Sequence, residues 1–208
     1  MKTRIIGDIH GSLHGYKNAL DGCEKSIQIG DFGFGFNSPR TWYDEVLSIQ
    51  KGTTHRFIRG NHDDPNLCKV NPAWIPDGTI ENDVMFIGGA WTIDSWHRTE
   101  GINIWHDEEL SYAELEVVID TYAMMRPRVM ITHDCPSSVA QKMFIDSGKS
   151  MFDGPLIPTR TGQALQAMFE LHQPEKWIYG HWHETLQEKI NGTTFTCLGI
   201  CDYMDVQL

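Results

Sequence analysis

The chain has 208 residues, near the upper end of one ordinary domain, and its 40% hydrophobic and 22% charged content allows a sizeable core without disulfide support. Seventeen basic residues against twenty-eight acidic give a net charge of −11, which argues against extended nucleic acid as a partner, because such binding relies on Lys and Arg neutralising phosphates. An odd set of five cysteines with no C-x-x-C pair, a first apolar run too short for a signal peptide and no stretch of membrane-spanning length point to a cytoplasmic protein without a membrane partner.

We find no repeat, low-complexity segment or linker and read residues 1–208 as a single domain. In chain order, Arg4-Ile5-Ile6 leads into Gly7-Asp8-Ile9-His10-Gly11, and a helix follows with Leu13, Tyr16 and Leu20 on one face behind a Ser12 cap. Ser26-Ile27-Gln28-Ile29 leads into Gly30-Asp31, and Ser38-Pro39 opens a second helix carrying Trp42, Val46 and Ile49. Phe57-Ile58 leads into Gly60-Asn61-His62-Asp63, and Val84 to Ile87 forms a further strand ending at Gly88-Gly89. Ser111 and Glu114 make a capping box for a helix with Tyr112, Leu115, Ile119 and Tyr122, closed by Pro127. Val129-Met130-Ile131 leads into Thr132-His133-Asp134, and Leu165, Met168, Phe169 and His172 repeat the helical spacing. Trp177-Ile178-Tyr179 leads into Gly180-His181-Trp182-His183, and Asn191-Gly192 joins the last two strands as a hairpin turn.

Short β-branched runs bounded by glycine and alternating with helical segments predict an α/β fold with parallel pairing, antiparallel at its C-terminal end. In such sheets ligands collect beyond the carboxyl ends of the strands. Five strands deliver a polar cluster to that edge: Asp8 and His10, Asp31, Asn61, His133, and His181 with His183. Four histidine nitrogens with carboxylate and amide oxygens suit Mn, Fe or Zn. Seven donors exceed what one ion takes in a tetrahedral site but suit two ions sharing a ligand, a pair that at roughly 3.5–4 Å separation clamps a phosphoryl group.

The order Asp-x-His-Gly, Gly-Asp, Gly-Asn-His-Asp, His, Gly-His-x-His resembles the calcineurin-like metallophosphoesterase superfamily, with motifs spanning residues 7 to 183. The resemblance implies a four-layer αββα sandwich of two mixed sheets flanked by helices, and two divalent metal ions, manganese first. It further implies that Asp8, His10 and His183 bind one ion, that Asn61, His133 and His181 bind the other, and that Asp31 bridges them. His62 would act as general acid in hydrolysis of a phosphate ester, a monoester on a small molecule or phosphoprotein. The lack of a cap domain is similar to stand-alone phosphatases of bacteria and their phages. Serine/threonine protein phosphatases of the superfamily continue from Gly-Asp to a second Asp and an Arg; here Phe34 stands where that Asp would orient the acid histidine.

Asp63, next in sequence, is the expected substitute for that Asp, against the alternative of a turn-capping aspartate. Arg98, Arg40 and Arg59 are the candidates to hold phosphate oxygens, since the guanidinium fork matches them. Trp91, Trp96 and Trp105 are expected in the core, against the alternative that they stack a base or wall a pocket, and Cys135 is expected as a small buried side chain. Two other functions compete. A phosphodiesterase on cyclic nucleotides or nucleic acid would use the same metals. A catalytically silent scaffold would lack donors or the acid, whereas this chain has both.

Overall fold

The computed structural model describes residues 2–36, 40–149 and 155–208. Among the described residues ten strands form two sheets. In the first, β1 (Lys2–Ile6), β2 (Lys25–Ile29) and β3 (Thr54–Ile58) run parallel, and β10 (Tyr203–Gln207) adds antiparallel to β1. In the second, β5 (Val84–Ile87), β6 (Val129–Thr132), β7 (Lys176–Tyr179) and β9 (Thr193–Cys197) run parallel. Its edges are antiparallel: β4 (Ile80–Glu81) on β5 and β8 (Leu186–Ile190) on β9.

Residues alternate between strand faces, so a strand with apolar groups on both faces is buried on both. Ile5, Ile27, Ile29 and Ile58 of the first sheet meet Val84, Phe86, Ile131 and Ile178 of the second in a core between the sheets. The opposite face of the first sheet, with Ile6 and Phe57, packs on α1 (Leu13–Leu20) and α2 (Arg40–Gln50). That of the second, with Met130 and Trp177, packs on α4 (Tyr112–Met125) and α6 (Arg160–Leu171). The result is the four-layer sandwich expected; short helices α3 (Pro65–Lys69) and α5 (Ser137–Ala140) add to the helix side of the first and second sheet respectively, and a π-helical turn follows at Gln141–Ile145.

The local signals mostly act as read. The Ser12 side chain accepts from Gly15 N–H, and Ser111 with Glu114 forms the reciprocal capping box. The Asn191-Gly192 turn joins β8 to β9. The proposed Ser38-Pro39 cap lies outside the described residues. Three expectations differ. Tyr112 is exposed because it opens α4 on the solvent side, and His172 is an extended C-cap rather than a helical residue. Trp96 is 69% exposed rather than in the core, lying in a single 3-10 turn that no layer covers, whereas Trp105 is buried. Among the described residues no helix is long and apolar enough to cross a membrane.

Candidate metal centre

The seven donors converge because β1, β2 and β3 of one sheet and β6 and β7 of the other end at a common edge. Each strand passes into a tight loop, and the loops are made by unusual backbone. His10, Asp31, His181 and His183 all have left-handed φ, between 45° and 67°. Residues with a Cβ rarely adopt that region, and such strain gathers at functional sites. The glycines of the motifs make room for neighbouring donors. A Cβ on Gly60 would lie 2.1 Å from the Asp31 carboxylate, and one on Gly180 would lie 2.3 Å from Asp8 Oδ1.

Two donor groups result, and Asp31 belongs to both. In the first, single ligand atoms of Asp8, His10, Asp31 and His183 lie within 4.8 Å of one another; in the second, those of Asp31, His133 and His181 do. His183 Nε2 is 2.8 Å from His10 Nε2 and 3.3 Å from Asp8 Oδ2. His133 Nε2 is 3.2 Å from Asp31 Oδ1 and 3.1 Å from Asn61 Oδ1, so the amide joins the second group. His133 Nδ1 lies 2.9 Å from the Ile29 carbonyl and donates to it, which leaves Nε2 as the ligand atom. A set of imidazoles, carboxylates and one amide, divided by a shared carboxylate, fits two divalent ions.

The electrostatics suit the same purpose. Burial alone would raise Asp31, but His133, His62 and His10 around it hold it well below the usual carboxylate range. Burial would lower His133, yet the Asp31 carboxylate outweighs it and pushes the imidazole up to about 10. In the metal-free protein the Asp31–His133 ion pair thus offsets charge that a cation would otherwise neutralise, and a ligating imidazole must give up that proton.

His62 sits beside the donors on the cavity wall that also includes Arg98, Asp94, Ile93 and Trp182. Its backbone N–H donates to Asp31 Oδ1 at 2.8 Å, and its ring stacks on Phe36 with centroids 4.3 Å apart and planes at 14°. Burial lowers its pKa, and Asp31 opposes that only in part. Arg98 lies over the other neighbour of this stack, 4.9 Å from the Phe36 centroid. Asp94 takes its Nε and Nη2 at 3.0 and 2.7 Å.

Three sequence assignments need correction. Asp63 does not orient His62: its oxygens accept from the N–H groups of Phe32, Gly33, Phe34 and Gly60, which makes it the buried clamp of two loops. Arg59 is not a phosphate ligand. It is buried, pairs with Asp77 at 2.9 Å and donates to the carbonyls of Asp107 and Glu108. Arg40 is an exposed residue of α2 paired with Asp44 and lines no part of this cavity.

Other neighbours were not legible. Trp182, fixed by its N–H to Asp134 Oδ1 and by stacking on Phe144, walls the cavity. Thr92 and Glu108 stand behind Asn61. Their only sequence signal was position: Thr92 follows the Gly88-Gly89 strand end, and Glu108 sits in an acidic run.

A family model described as calcineurin-like phosphoesterase matches residues 1–185. Among curated proteins none matches the chain. Among solved structures, a dimetal phosphatase from Danio rerio is similar at 14% identity and a TM-score of 0.54, covering 97% of this chain and 88% of that one. A 5'-nucleotidase candidate from Staphylococcus aureus, solved with alpha-ketoglutarate, is similar at 14% identity and a TM-score of 0.53, covering 96% of this chain. The present chain spans 48% of that protein's length. At this identity the two structures speak for the fold alone.

Proposed function

The chain belongs to the calcineurin-like phosphoesterase family and is a metal-dependent phosphoester hydrolase, and we propose that it hydrolyses phosphomonoesters of small molecules or phosphoproteins with two manganese ions. Asp8, His10, Asp31 and His183 would hold one ion, and Asp31, Asn61, His133 and His181 the other. The observation that carries this is the single buried carboxylate of Asp31 common to both donor groups. When bound, the ions supply Lewis-acid polarisation of the phosphoryl group and a nucleophilic hydroxide at neutral pH.

His62 is the general acid. Its Nδ1 lies 3.3 Å from His10 Nδ1, beside the first donor group. His62 acts as the imidazolium: it gives one ring proton to the departing oxygen and is left as the neutral imidazole. The stack on Phe36 fixes the ring plane. Arg98 favours a monoester: with Asp94 on its other edge, Nη1 is the donor left for a non-bridging phosphoryl oxygen, and a monoester carries one more of these than a diester.

Comparing p-nitrophenyl phosphate with bis-p-nitrophenyl phosphate under Mn²⁺ tests the preference; the monoester should turn over faster, and activity on the diester alone overturns it. His62→Ala should keep its metals and lose roughly 10²–10⁴-fold on alkyl phosphates, with less loss on p-nitrophenyl phosphate. Equal loss on every leaving group overturns the acid role.

A further inference from the structure

Asn61 is the single amide among the donors, and an amide can be turned end for end. Only its oxygen can ligate a cation, so something must tell the two ends apart. In the structure Asn61 Oδ1 faces His133 Nε2, and Asn61 Nδ2 donates to Thr92 Oγ1 at 3.1 Å. A hydroxyl can donate or accept, so Thr92 alone does not decide the matter.

Glu108 does. Its Oε1 accepts the Thr92 backbone N–H and its Oε2 accepts the Thr92 hydroxyl, both at 2.7 Å. The one hydroxyl proton is thereby committed to Glu108, and the lone pairs of Oγ1 remain for Asn61. Only an NH₂ can sit against them. Asn61, Thr92 and Glu108 are each at most 5% exposed, so water does not substitute for the missing partner. Glu108 is itself fixed in place, since its carbonyl accepts from Arg59 Nη1 at 2.7 Å while Arg59 is held by Asp77.

We propose that Thr92 and Glu108 are positioning residues for the second metal: Glu108 sets the polarity of the Thr92 hydroxyl, and the hydroxyl holds Asn61 with its oxygen toward His133 and Asp31. The proposal rests on the two-metal assignment above. Buried partners behind a ligand fix its orientation, and their loss typically costs about 10–100-fold in metal affinity. Neither residue lines the cavity walled by Asp31, Asn61 and His62. The effect is therefore read in the affinity of one ion, apart from any change in the stability of the fold.

Glu108→Gln is the sharper probe. The Thr92 N–H still requires an oxygen, so the new NH₂ must face the hydroxyl and donate to it. The hydroxyl proton then turns toward Asn61 and favours the amide oxygen in place of the NH₂. Thr92→Val removes the acceptor outright, and Thr92→Ser restores it.

The experiment is Mn²⁺ titration of chelator-stripped protein by calorimetry at pH 8, above the value of about 7 to which burial raises the Glu108 carboxyl. Wild type and Thr92→Ser should bind two ions. Glu108→Gln and Thr92→Val should bind the first as tightly as wild type and the second about 10–100-fold more weakly. Unchanged affinity for both ions in Glu108→Gln, or equal loss in Thr92→Ser and Thr92→Val, overturns the positioning role. Fewer than two ions in the wild type overturns the two-metal assignment and this one with it.

Discussion

Asp63→Asn separates the two roles that Asp63 can have. Each carboxylate oxygen takes two backbone donors: Oδ1 accepts from Gly33 and Phe34 at 2.7 and 3.0 Å, and Oδ2 from Phe32 and Gly60 at 3.1 and 2.8 Å. An asparagine has one oxygen, so in either orientation its NH₂ meets two N–H groups and two bonds are lost. Bonds to a charged acceptor contribute about 1.5–3 kcal/mol each, which puts the loss at ~3–6 kcal/mol. Total stability of a domain is only about 5–15 kcal/mol. Urea unfolding of chelator-stripped protein should therefore show the variant midpoint lower by about 1–2 M. The clamp role is refuted if the variant keeps wild-type stability within about 0.5 kcal/mol while losing the leaving-group dependence proposed for His62. In that case Asp63 acts on the acid, as its place in the sequence suggested.

Two further predictions concern charge. Arg98→Ala should lower kcat/KM on phosphomonoesters about 10–100-fold, the loss of one charge-assisted bond, with metal content unchanged; an unaltered kcat/KM would remove Arg98 from substrate binding. The Glu108 carboxyl, raised by burial from 4.5 to about 7, binds its proton more tightly folded than unfolded. It therefore weakens the fold as pH rises through that window, by ~3 kcal/mol in all. Urea unfolding of chelator-stripped wild type against Glu108→Gln should show the wild type losing ground between pH 5 and pH 8. A gap that does not change with pH would refute it.

The sequence carried the donors because each is tied to a local event, a strand ending in a glycine loop, and local events leave local patterns. It did not carry the partners of Asp63 and Arg59. Asp63 is claimed by N–H groups some thirty residues earlier, and Arg59 by Asp77 eighteen residues later. Side-chain chemistry alone does not say whether an arginine near a phosphate site faces the phosphate or a buried aspartate. The same limit applies to the sheets. That β1 to β3 and β5 to β7 lie in different sheets is set by how the strands pack, and β10, with one buried residue in five, has no clear strand signature.

The place of the missing acid shows what the fold does instead. Phe34 does not approach His62 in the manner of an orienting carboxylate. Its ring is fully buried among Phe32, Trp42, Tyr43 and Phe57, on the helix side of the first sheet. Two residues on, Phe36 lies flat on His62, and Arg98 lies on Phe36. An Asp would fix both the ring plane and the tautomer and would raise the pKa of the imidazole. An aromatic face fixes the plane alone and lets burial lower the pKa. A histidine tuned this way releases its proton more readily but holds it over a narrower pH range. Arg98 adds to that effect, since its positive charge also lowers His62. The exchange of Asp for Phe34 thus leaves the candidate metal donors in place and bears on one residue, the proposed acid.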